Sequence, residues 1–214
     1  MGFFKPNVEK LVARGDVKGL VRALNNRAVY AATAEALLKM GEPAVSTLIE
    51  AITSDDYLSE VATQAVSGFG EVAVSALITA LKDDPITGWS PGSSYIREAL
   101  VEIGEVAVPA LIEVMKDKGM HYLANLSFGR VLIGPGEAAR LALSEIGKAA
   151  VPALIEVMKD KDEWVRSVAT QALSEIGEAA VPALNEALKD ENSDVREAIE
   201  EALEKIKAKD EERS

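Results

Sequence analysis

Apolar residues recur along this chain in a helical rhythm that is broken and restarted at regular points. The clearest stretch runs from Asp162 to Asp190. Val165, Ala169, Ala172, Leu173 and Ile176 are spaced so that, at roughly 100° per residue, they fall on one stripe of a helix that Asp162 can cap. Gly177 ends that helix, as glycine does where the chain must turn left-handed. A second helix is expected from about Ala179 to Lys189, with Pro182 tolerated in its first turn. The same reading predicts glycine-terminated helices ending near Met40, Phe69, Ile103 and Ile146, and partner helices over roughly 43–53, 72–83, 106–117 and 149–160. A shorter pair at 7–14 and 16–25 starts the series, and a lone charged helix over 194–208 closes it.

The restarts share one phrase. It reads Gly41-Glu-Pro-Ala-Val-Ser-Thr-Leu48 at first and Gly177-Glu-Ala-Ala-Val-Pro-Ala-Leu184 at last, with copies at Gly70, Gly104 and Gly147. The spacings are 29, 34, 43 and 30 residues, and a period near 30 marks stacked helix pairs rather than one closed core. The expected fold is all-α: an α-solenoid, a right-handed superhelix of about six stacked antiparallel pairs plus a C-terminal capping helix, in one repeat domain over 1–214. A terminal repeat has no neighbour to cover its outer face, so a polar cap is expected over 192–214. Asn185 fits this, since the matching positions of the four preceding repeats are Ile49, Ile78, Ile112 and Ile155.

With these residues in hand, the chain resembles HEAT-repeat proteins, and in particular the short HEAT-like subtype also found in phycobilin lyases. The carrying motifs are Asp162-x-x-Val165-Arg166, Asp194-Val195-Arg196, the Ala-Leu-x-x-Ile-Gly helix ends and the Val-Pro-Ala-Leu helices, over about residues 16–206. The resemblance implies that the Val-Arg helices stand side by side and line a concave groove whose exposed positions carry partner contacts. It implies no single activity, because the fold hosts scaffolds, lyases and a few other enzymes.

The residues offer their own view of that groove. Positions 167, 168, 171 and 175 form a second stripe, about 130° from the apolar one. Across the repeats that stripe contains Glu35 and Lys39; Glu60, Val61 and Gln64; Ser94, Tyr95, Glu98 and Glu102; Glu137, Ala138, Leu141 and Glu145; Ser167, Val168, Gln171 and Glu175; and Glu197, Ala198, Glu201 and Lys205. Tyr57 and Trp164 lie just before two of the helices. An acidic surface with aromatic anchors suits a basic protein or peptide segment carrying apolar side chains, the aromatics supplying affinity and the charges orientation. The competing reading is a solvated face with aromatics packed at its edge.

Two connections are longer than the rest. Residues 84–95 hold Pro85, Trp89, Pro91 and Tyr95 and read as a loop; residues 118–136 hold His121, Tyr122, Phe128 and Arg130 and are read either as a loop or as an extra helix over 119–134. Both fall in the same kind of connection and are expected to project from one edge as a partner-specific rim. The competing reading is that these aromatics fill a gap where stacking is disturbed.

Composition narrows the function further. A net charge of −12 disfavours nucleic acid, whose affinity comes from Lys and Arg. With no cysteine and one histidine, disulfides, thiolate or imidazole-rich metal sites and histidine-based nucleophile sets are not expected, nor is a cofactor. The absence of cysteine fits a reducing cytoplasm, and no apolar run reaches the ~18 residues that would span a membrane. The leading expectation is therefore a non-enzymatic, cytoplasmic protein- or peptide-binding scaffold. Its expected contact residues are Tyr57, Glu60, Trp89, Tyr95, Glu98, Glu102, His121, Tyr122, Glu137, Trp164 and Gln171. The alternative, carried by the resemblance alone, is a lyase-like or chaperone role toward a tetrapyrrole or its carrier protein.

Overall fold

Helices α11 (Glu163–Ile176) and α13 (Ser193–Arg213) are each preceded by a tight turn built by three polar side chains. In the computed structural model, Asp160 Oδ1 accepts from the Asp162 N–H at 3.0 Å, and Asp162 Oδ1 accepts from the Trp164 N–H at 3.0 Å. Arg166, one turn into the following helix, reaches back and donates to the carbonyls of Asp160 (2.9 Å) and Lys161 (3.2 Å). Thirty residues on, Asp190, Asn192 and Arg196 repeat the arrangement, with Arg196 donating to Asp190 O at 2.7 Å and Glu191 O at 2.9 Å. The arginine of the Val-Arg motif thus ties down carbonyls left without helical partners where the preceding helix ends. It is a staple of the connection.

The structure describes residues 6–54, 57–83, 91–117 and 134–213, with backbone only for 91–93 and 213. These residues form helices joined by short turns, without strands. The chain forms two compact units, Met1–Val106 and Ala107–Ser214. In the first, α1 (Val8–Ala13), α2 (Val17–Ala23), α3 (Tyr30–Met40), α4 (Glu42–Thr53), α5 (Ser59–Ser67), α6 (Glu71–Asp83) and α7 (Pro91–Ile103) follow one another as helical pairs. Second-of-pair helices α2, α4 and α6 pack in series, and α5 packs on α7. In the second unit, α8 (Val108–Lys116), α10 (Val151–Val157) and α12 (Val181–Ala187) form one row. Helices α9 (Pro135–Ile146), α11 (Glu163–Ile176) and α13 (Ser193–Arg213) form the other.

The core lies between the rows. Leu143, Leu154, Leu173 and Leu184 are fully buried, and Ala139, Ala142, Ala169 and Ala172 let neighbouring helices approach closely. In unit one Leu37, Leu48, Leu77 and Leu100 do the same. The interruption within these pairs is a glycine with positive φ: Gly41, Gly70, Gly104, Gly147 and Gly177 all adopt it. Gly177 has φ 73° and ψ −141°, so the chain does not curl into a left-handed helical turn there. It takes an extended conformation that essentially only glycine populates. In the second unit a short 3₁₀ turn, such as Gly177–Ala180, then leads into the next helix.

A Cβ built at Gly177 meets nothing within 4 Å, so any cost of a side chain there is conformational alone. Gly177→Ala is expected to lower the unfolding free energy by about 1–3 kcal/mol, measured by urea titration. A loss under a few tenths of a kcal/mol would show that the turn relaxes freely.

Helix α13 departs from the expected boundary at 208, running 21 residues to Arg213. The cause is local: Lys207 stands where Gly177 ends the preceding helix, so nothing stops this one. Val195, Ile199, Ala202 and Ile206 face the core along one stripe, leaving a charged outer face.

Candidate functional site

The second-unit helices α9, α11 and α13 stand side by side and expose carboxylates along one face. Between α11 and α13 runs a groove of about 430 Å³ lined by Glu163, Arg166, Ser167, Thr170, Asp194, Glu197, Ala198 and Glu201. Four of these are acidic. The one cation, Arg166, is held by backbone carbonyls of the inter-repeat turn. Glu201 is partly neutralised by Lys205 at 2.6 Å. Trp164, half-buried in the first turn of α11, lies next to Glu163 in the chain, and Gln171 is exposed further along the same helix.

The exposed stripe is narrower than expected. Ala138, Val168 and Ala198 are buried. Their row is closely packed, with α11 lying against both α9 and α13. Helix periodicity identifies the face opposite the core but is blind to lateral neighbours.

Arg140, which sequence reasoning passed over, is the most buried charge described. Its side chain is 4% exposed and lies between Glu137, one turn before it on α9, and Glu175 on α11. Nε donates to Glu137 Oε2 at 2.9 Å, Nη2 donates to Glu137 Oε1, and Nη1 donates to Glu175 Oε2, which also accepts from Ser144 Oγ at 2.9 Å. Burial disfavours the guanidinium charge, but the hydrogen bonds and charges of Glu137 and Glu175 outweigh it and hold its pKa above the usual value. Glu137, an expected contact residue, is thereby committed to a bidentate pair inside the row. A signal existed in the sequence. Thr63 and Thr170 occupy the same repeat position, are buried, and donate only to carbonyls of their own helices. An arginine in place of that threonine calls for carboxylates.

In the first unit, Glu60, Glu98 and Glu102 are exposed and Tyr57 is 68% exposed in the turn before α5; Tyr95, read as part of a loop over 84–95, instead lies half-buried within α7, which Pro91 starts. Tyr30 joins them: burial, then the charge of Glu102, raise its pKa, which places the phenol within the field of that carboxylate. On α3 the expected stripe is not acidic, because Lys39 Nζ sits 2.6 Å from Glu35 Oε1. That hydrogen bond and charge lower the Glu35 pKa. Trp89, His121 and Tyr122, with Phe128 and Arg130 and the choice of loop or helix over 119–134, fall outside the described residues.

Among the described residues no group of three His, Asp or Glu side chains gathers as a metal site, and no helix is long and apolar enough to cross a membrane. Residues 136–204, the span of α9 to α13 in which turn, staple and glycine stop repeat in register, match the family model for HEAT repeats. Residues 136–204 are HEAT repeats. The HEAT match identifies the repeat without distinguishing a subtype. Comparison with curated proteins returned no match. HEAT repeats serve generally as protein-interaction scaffolds.

Proposed function

We propose that this chain is a non-enzymatic scaffold of the cytoplasm that binds a basic protein or peptide segment with apolar anchors, and neither nucleic acid nor membrane. The observation carrying this reading is the α11–α13 groove, where four carboxylates face solvent and the single arginine is engaged by backbone. Such a field raises the encounter rate of cationic segments and repels polyanions. Trp164 supplies an aromatic surface at its edge, and in the first unit Tyr57 and Tyr95 accompany Glu60, Glu98 and Glu102 in the same combination. Glu137 is reassigned from contact to support.

The test is a fluorescein-labelled peptide of alternating arginine and tryptophan, titrated at low salt. Charge reversal at Glu163, Glu197 and Glu201 together is expected to weaken binding at least tenfold, on the order of 0.5 kcal/mol for each exposed charge. Glu186→Lys, on the exposed face of α12, is the control and is expected to change it less than twofold. Equal losses in the two variants would reduce the effect to net charge and remove the groove. The tetrapyrrole role rests on family resemblance; a shifted absorption band on mixing with bilin would bring it forward.

A further inference from the structure

The space between neighbouring helices of the α9, α11, α13 row is filled in one place and open in the next. Between α9 and α11 the chain fills it with its own arginine. Arg140 is 4% exposed and reaches from Glu137 on its own helix across to Glu175 on α11. Thirty residues later the three members of that clamp are Ser167, Thr170 and Lys205, and the clamp is gone. The groove of about 430 Å³ lies there, with α11 as one wall and α13 as the other.

Charge on the walls takes the place of the clamp. Asp194, Glu197, Ala198 and Glu201 of α13 stand where α11 has Trp164, Ser167, Val168 and Gln171. Three neutral side chains have become carboxylates, and a valine has shrunk to alanine. Glu163 adds a carboxylate from α11. Among the described residues no cation pairs with Glu163, Asp194 or Glu197. With Arg166 and the Lys205 that pairs with Glu201 both counted, four carboxylates leave the groove at −2. Thr170 Oγ1 donates its proton to Arg166 O at 2.9 Å and has none left for an anion.

We propose that the α11–α13 groove takes one arginine side chain of the partner, which restores in trans the guanidinium that Arg140 supplies in cis one repeat earlier. This deepens the reading of the groove as a seat for a basic segment and rests on it. Shape sets the selectivity. The lining spans about two helical turns, about 10 Å, which suits a side chain and not a helix about 10–12 Å across. A guanidinium presents a planar fork of five donors, shaped to meet Glu163 on one wall and Glu197 or Glu201 on the other, while its stem lies over Ala198. An ammonium is a compact, strongly hydrated point charge and gains less from carboxylates on opposite walls.

The probes are the fluorescein-labelled arginine–tryptophan peptide and the same peptide with lysine at every arginine, so that length and charge are equal. On the wild-type chain the arginine peptide is expected to bind about tenfold more tightly. Moving the clamp forward by one repeat, with Ser167→Glu, Thr170→Arg and Lys205→Glu, fills the groove from within and makes the chain more negative by two charges. Attraction by net charge alone then predicts tighter binding of both peptides. A filled groove predicts the reverse: about tenfold loss for the arginine peptide, and a preference for arginine that falls below about twofold. Ser167→Leu, at an exposed position, occupies the groove without adding charge and should give the same loss. It decides the matter if circular dichroism shows the triple variant unfolded.

Equal affinity of the wild-type chain for the two peptides would overturn the arginine assignment. If both are then lost on charge reversal at Glu163, Glu197 and Glu201, the groove keeps its basic segment. Failure of both peptides to bind would remove the assignment and the underlying reading together. Arginine-peptide binding unchanged by Ser167→Leu, or strengthened in the folded triple variant, would put the arginine outside the groove and overturn the proposal as well.

Discussion

Leu173→Ala is expected to lower the unfolding free energy by about 3–5 kcal/mol, while Leu203→Ala, the same change one repeat later, costs about 1–2 kcal/mol. Leu173 is fully buried on α11, the helix that touches α9, α10 and α13, so deleting its side chain leaves a cavity whose walls cannot all close. Leu203 is half-buried at the edge of an open groove, and water can fill the space it leaves. Leu143, fully buried on α9, should follow Leu173. Because repeat arrays are stabilised by nearest-neighbour interfaces, Leu173→Ala is also expected to separate the unfolding of the last repeats from the rest. Urea titrations followed by circular dichroism and by tryptophan fluorescence, with Trp164 as a reporter in α11, should then stop coinciding. Equal costs for Leu173 and Leu203 would contradict the graded burial.

Arg140→Ala is the second large effect, with an expected cost of about 3 kcal/mol. The loss is not the worth of the ion pairs. It is the penalty of leaving Glu137 and Glu175, whose side chains are 24% and 26% exposed, facing one another with no cation between them. The triple variant Arg140→Thr, Glu137→Ser, Glu175→Gln should recover most of the stability, because it removes the charges together and installs the Ser-Thr pattern of residues 167 and 170. The effect should be nearly independent of salt from 0.05 to 0.5 M, since a charge this deep is poorly screened. A triple variant as unstable as Arg140→Ala would assign the loss to packing of the guanidinium rather than to charge.

Fold was legible in this chain because each repeat restates it. Helix periodicity, a glycine that alone tolerates positive φ, a proline in a first turn and an Asp cap are local requirements, and local physics is written in local sequence. The predicted helix ends at Met40, Ile103, Ile146 and Ile176 match the structure, and the overrun of α13 was readable in Lys207. The exposed acidic positions of α5, α7, α11 and α13 were legible for the same reason. Tertiary structure decided what lies beside each helix. It buried Ala138, Val168 and Ala198, drew Glu137 and Glu175 onto Arg140 across two helices, and turned Arg166 and Arg196 back onto the connections. Those outcomes depend on contacts between residues as many as 35 positions apart, whose distances are set by helix packing and not by any periodicity within one helix.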